Sequence, residues 1–96
     1  MRRIILESTK SDITRTLINN GFNIRGCEVE EFDDKGNYRL VAKNHSEYSY
    51  LGLEYSVNEQ KIYVDYVEKG SQQEIEKDFR FPGELSSCVQ YWNNLI

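Results

Sequence analysis

Ninety-six residues suffice for one domain, 1–96, and are too few for a second core. With 39% hydrophobic residues, 12% aromatic residues and a single proline, the composition excludes a disordered chain. The net charge is −4 and nothing along the chain resembles the basic stripe that phosphate backbones require, so no direct nucleic-acid partner is expected.

The chain opens on Met1-Arg-Arg-Ile-Ile-Leu-Glu7, where the apolar run is only Ile4 to Leu6. That is far too short for a signal peptide or a membrane span, so a soluble, cytoplasmic protein with no membrane partner is expected. Arg3 to Leu6 reads as a short strand. Ser8, Thr9 and Ser11 then offer helix N-caps, and Thr9 with Asp12 has the capping-box spacing. Ile13, Leu17 and Ile18 form an apolar stripe over a helix from about Asp12 to Asn20, which Gly21 closes in a left-handed conformation.

Phe22 to Phe32 reads as an extended segment whose alternation changes phase near Gly26, where a bulge would account for it. Asp33-Asp-Lys-Gly36 is a turn signal, and pairing Phe32 with Asn37 sets Val29 opposite Leu40, Cys27 opposite Ala42 and Glu30 opposite Arg39. Tyr38 to Lys43, Tyr48 to Val57 and Gln60 to Glu68 complete an antiparallel meander that holds six of the seven tyrosines. With Asn58-Glu59 as a two-residue loop, Tyr55 faces Ile62, Leu53 faces Val64 and Leu51 faces Tyr66. Glu54 then faces Tyr63, Gly52 faces Asp65 and Tyr50 faces Val67. This register alone separates an apolar face from a mixed one.

The segment after Gly70 fits two descriptions. Ser71-x-x-Glu74 has capping-box spacing for a helix, whereas Ile75, Lys77, Phe79 and Phe81 alternate as in an edge strand, and the strand is favoured because it puts both phenylalanines on one face. Pro82-Gly83 ends it. From Glu84 to Asn94 the residues Leu85, Cys88, Val89, Trp92 and Leu95 mark an amphipathic helix that lids the sheet. The expected fold class is α+β: an antiparallel meander of four to five strands with an N-terminal and a C-terminal helix packed on it.

No constellation for catalysis is expected. The lone histidine, His45, lies in a polar loop, and Cys27 adjoins an acidic run rather than the electropositive setting that a reactive thiolate needs. No short-spaced pair among Cys27, His45 and Cys88 nucleates a metal site, and single glycines form no phosphate-binding loop, so no cofactor or metal is expected. Both cysteines read as buried free thiols.

Two features remain for function. Residues 26–34 carry a charge of −5 with no basic side chain, through Glu28, Glu30, Glu31, Asp33 and Asp34. The bland reading is an edge strand charged against aggregation; the functional one is a negative patch that meets a basic surface. The mixed face of the meander carries Tyr48, Tyr50 and Tyr63, which another segment covers or which form an anchoring surface. Together, Glu28, Glu30, Asp33, Asp34, Tyr48, Tyr50 and Tyr63 are the expected partner-binding residues. The expectation is a small acidic protein that is not an enzyme and blocks a basic partner surface. Immunity proteins, antitoxins and phage-encoded inhibitors are the corresponding class, by size and charge alone. The alternative is a homo-oligomeric accessory module, a homodimer in its simplest form, joined through the tyrosine face.

Overall fold

In a computed structural model, the described residues are 2–96 for the backbone, with side chains from Lys10 onward. Helix α1 (Arg2–Asn19) is followed by five strands and helix α2 (Leu85–Leu95). The strands are β1 (Cys27–Phe32), β2 (Tyr38–Ala42), β3 (Tyr48–Ser56), β4 (Lys61–Glu68) and β5 (Ile75–Arg80). They form one antiparallel sheet in the order β1-β2-β3-β4-β5, the expected α+β meander.

The N-terminus departs from the sequence reading. Arg3–Leu6 is helix rather than strand, and α1 starts ten residues before Asp12. No glycine or proline interrupts residues 2–19, so nothing in the covalent chain stops the helix there. Ser11 is therefore inside the helix and caps nothing; the side chains of Ser8 and Thr9 lie outside the described residues. The helix ends as expected at Gly21, with φ of +94°. Gly21 N–H donates to the Ile18 carbonyl and Phe22 N–H to the Leu17 carbonyl, each at 3.0 Å, a Schellman motif in which Leu17 and Phe22 both enter the core. Ile18, expected in the buried stripe, is 55% exposed.

The central hairpin β3–β4 has the register that its alternation dictates, from Ser56 opposite Lys61 to Tyr50 opposite Val67. Gln60 N–H closes the Asn58-Glu59 loop on the Val57 carbonyl. In β1–β2, Val29 faces Leu40 and Cys27 faces Ala42 as expected, but the bulge lies between Val29 and Glu31. Glu31 rather than Glu30 therefore faces Arg39. Residues 22–26 form a turn-rich connection instead of strand, so no bulge occurs at Gly26. A second irregularity, between Tyr48 and Tyr50, is absent from the sequence reading.

The segment after Gly70 is the edge strand β5, paired along β4 from Tyr66–Ile75 to Lys61–Arg80. Both helices pack on one side of the sheet. Leu17 and Phe22 from the N-terminal region and Cys88 and Trp92 from α2 join Val29, Leu40, Leu51, Leu53, Ile62, Val64 and Phe79 in one core. Trp92 is fully buried and its indole N–H donates to the Asn23 carbonyl at 2.8 Å. Asn93 reinforces that seam, accepting from Asn23 N–H at 2.8 Å and donating to the Gly21 carbonyl at 2.9 Å. Among the described residues, no helix is long and apolar enough to cross a membrane.

Candidate protein-docking face

Both helices pack on one side, and among the described residues no element covers the other side of the sheet. Strand pairing fixes what that side presents. Across its middle run Glu76, Asp65, Gly52, Val41 and Glu28; beside them run Asp78, Tyr63, Glu54, Arg39 and Glu31. Val41 is 7% exposed and stands apart from the main core, so this face buries some apolar area of its own.

Tyr50 adds aromatic area over Gly52, the residue paired with Val41. Its ring lies over Gly52: a Cβ built there would come within 2.8 Å of Tyr50 Cζ, and closer still to the hydroxyl. Glycine at 52 thus makes room for the Tyr50 ring rather than serving the backbone, since its φ lies outside the left-handed region. Arg39 anchors the ring from β2. One guanidinium nitrogen bonds the Tyr50 hydroxyl and the other donates to Glu54 Oε1 at 2.8 Å, while Nε lies 3.9 Å from Glu31. Burial pulls the Arg39 pKa down, but Tyr50 and Glu54 outweigh it and the net shift is upward. For the Tyr50 hydroxyl, burial and then Asp65 outweigh Arg39, and its pKa rises.

Asp65 sits opposite Gly52 and is 9% exposed. Burial pushes its carboxyl up to about 6; Arg39 opposes this, and Glu74, Glu76 and Glu54 add to it. No hydrogen-bond donor among the described residues reaches it, because the nearby guanidinium is committed to Tyr50 and Glu54. Beside this network, Glu31, Asp33, Tyr38, Arg39 and Glu54 line a shallow cleft of about 220 Å³ that joins the open face to the β1–β2 hairpin.

The expected site residues are not all brought together. Tyr50 and Tyr63 lie half-buried on the open face, where the Tyr63 hydroxyl donates to Glu59 and that bond is the main reason its pKa rises to about 12. Tyr48 does not join them. The irregularity at Ser49 shifts its phase, so it pairs with Glu68 and turns to the helix side, its ring 5.1 Å from Tyr66 and 4.8 Å from His45. Glu28 and Glu30 are exposed on β1, Glu28 at 3.9 Å from Lys10 and Glu30 paired with Lys43. Asp34 is exposed at the tip.

Asp33 has a structural task. Its carboxylate accepts the backbone N–H groups of Lys35 and Asn37, each at 3.0 Å, and the Asn37 side-chain amide at 2.9 Å. These bonds, the Asn37 amide first, hold its pKa low. Asn37 in turn accepts Val57 N–H at 2.8 Å, tying the hairpin tip to the end of β3.

Sequence reasoning put Glu54 and Asp65 on the mixed face without selecting them. The signal available was the register itself, which sets Asp65 against the one residue of the row with no side chain.

Cys27 and His45 are engaged separately. The Cys27 thiol donates to the Arg25 carbonyl at 3.7 Å and burial pushes its pKa up to about 11, while His45 Nδ1 accepts Glu47 N–H at 3.0 Å. The Cys88 thiol, at the core, is pushed up to about 12 by the same cause. Among the described residues, no group of three or more His, Cys, Asp or Glu side chains is placed to hold a metal ion. Comparison with protein-family models, curated proteins and solved structures finds no match.

Proposed function

We propose that this protein is a non-catalytic binding module that docks a basic surface of another protein on its open sheet face and thereby blocks that surface. The observation that carries the reading is the uncovered face itself. It combines ordered aromatic area at Tyr50 and Tyr63 with an excess of carboxylates from four strands, Glu31, Glu54, Asp65, Glu76 and Asp78 among them. Aromatic anchors within a charged surround are the composition of protein interfaces, and complementary charge speeds encounter and rejects wrong partners. Self-association through this face would bring two acidic surfaces together, a like-charge arrangement that costs free energy. An immunity protein, an antitoxin or a phage-encoded inhibitor is the biological role such a module would fill.

The test is a charge reversal at Glu28, Glu31 and Asp34, all exposed, with Asp33 spared because it builds the turn. Surface ion pairs are worth roughly 0–1 kcal/mol, so the triple lysine variant should unfold at nearly the wild-type denaturant concentration. Immobilised wild-type protein should capture from native extract a basic protein that raised ionic strength releases, that the variant does not retain, and whose activity the free wild-type protein inhibits. Equal retention by the variant refutes the reading. So does sedimentation of a dimer that dissociates on lysine substitution of the open face.

A further inference from the structure

We propose that Asp65 is the receptor for one cationic side chain, a lysine or arginine of the partner, seated on the open sheet face beside the Tyr50 ring. This rests on the reading that the face docks a basic protein, and it names the contact at its centre.

The argument begins with an imbalance. Asp65 is nine-tenths buried, and no donor among the described residues bonds it. A buried carboxylate without donors is costly, and structures ordinarily supply a partner. Here the nearest cation, Arg39, is held by Tyr50 and Glu54. Burial is the main cause of the raised Asp65 pKa; Arg39 opposes it, and Glu74, Glu76 and Glu54 each add a smaller push in the same direction as burial, so three carboxylates besides Asp65 face an incoming cation.

Access is the second element. Among the described residues, no side-chain oxygen sealed from solvent lacks a hydrogen-bond partner, so the Asp65 carboxylate keeps a path to water and to a ligand. Opposite it, Gly52 raises no wall, and the atoms nearest above that glycine belong to the Tyr50 side chain. A lysine or arginine stem laid along that ring would carry its charged end to the carboxylate. It would supply the missing donors, and the aromatic face adds a cation–π contribution. The same carboxylates repel phosphates, which makes a nucleic acid the wrong occupant.

The experiment uses the full chain at low ionic strength, with a hexa-arginine peptide as probe and its neutral hexa-citrulline counterpart as control. The arginine peptide should bind and the citrulline peptide should not. Asp65→Asn should weaken binding at least tenfold, whereas Glu47→Gln, which removes one charge from an exposed loop, should change it less than twofold. Carbon-13 titration of the wild-type side-chain carboxyls gives a readout independent of any variant's folding. Saturation with the arginine peptide should lower the Asp65 midpoint.

An unchanged midpoint, or equal weakening by Asp65→Asn and Glu47→Gln, overturns the receptor role while leaving the acidic face as the docking surface. Absence of any arginine-peptide binding to the wild-type protein overturns both.

Discussion

Replacing Gly52 with alanine probes the open face without touching a charge. The new Cβ would lie 2.8 Å from Tyr50 Cζ, inside any real carbon–carbon contact, so the ring must swing away. Tyr50 then loses its hydroxyl bond to Arg39 and its cover over the sheet. A hydrogen bond to a charged group contributes about 1.5–3 kcal/mol, with the lower end appropriate for a half-buried pair. Against this, alanine in a strand is favoured over glycine by about 0.5–1 kcal/mol. The net expectation for Gly52→Ala is a loss of about 1 kcal/mol, or ~4–8 °C in Tm for a domain of this size.

The sign should reverse once Tyr50 is removed. In a Tyr50→Ala background the clash is gone and only the backbone preference remains, so Gly52→Ala should then stabilise by about 0.5–1 kcal/mol. The coupling between the two positions is about 2 kcal/mol, well above the additivity error of distant sites. Urea unfolding of the four proteins, wild type, each single variant and the double, measures it. If Gly52→Ala is neutral or stabilising in the wild type, the Tyr50 ring does not rest on Gly52 and the account of the open face is wrong.

Two further outcomes follow from the same structure. Asp65, with its folded pKa raised to about 6 from 3.8, binds a proton more tightly folded than unfolded, so its cost to stability is full above pH 6 and fades as pH falls toward 4. Asp65→Asn should therefore exceed the wild type in stability by about 2 kcal/mol at pH 7, discounted for the carboxylate's path to water, and match it near pH 4. Urea midpoints of the pair across that range check this, and taking the difference cancels Asp33 and Asp78, whose lowered pKa values act below pH 4. Trp92→Ala empties the centre of the core and removes the bond to Asn23, and should cost about 3–5 kcal/mol, a large share of the ~5–15 kcal/mol typical of a domain, read as a lowered urea midpoint by circular dichroism.

What the sequence made legible was whatever alternation over-determines. Leu51, Leu53 and Tyr55 against Ile62, Val64 and Tyr66 admit one register, and the structure adopts it. The two bulges were not legible at their true places. An extra residue near the right-handed helical conformation needs no glycine, so Glu30 and Ser49 carry no mark, while Gly26 drew attention that it did not merit. Tyr48 was misplaced for that reason alone, since one unpaired residue reverses the face of everything beyond it. At the N-terminus, Ile4 to Leu6 is too short a run to tell helix from strand. Asp65 was placed correctly, but its lack of a donor depends on where the Arg39 guanidinium points, which no pattern of residue types records.

The sheet also limits the direction from which the proposed partner would arrive. Its edges are poor templates for strand addition: β1 is bulged and carries Glu28, Glu30 and Glu31, and β5 exposes Glu76, Lys77, Asp78 and Arg80. The helix side is occupied by α1 and α2 around Trp92. The open face is the remaining broad surface of the sheet itself, and on the proposed reading the residue that weakens the fold there is the one that would strengthen a complex. Holding Asp65 nine-tenths buried without a donor lowers stability at neutral pH, and the fold has an apparent remedy in asparagine, which fits the same space uncharged. On the proposed reading, a cation brought by a partner would remove that cost only in the bound state, so the burial cost at Asp65 would become binding free energy and discriminate against neutral partners. Stability and binding should therefore move in opposite directions at position 65, whereas a carboxylate present only to keep an edge soluble would leave both unchanged on neutralisation.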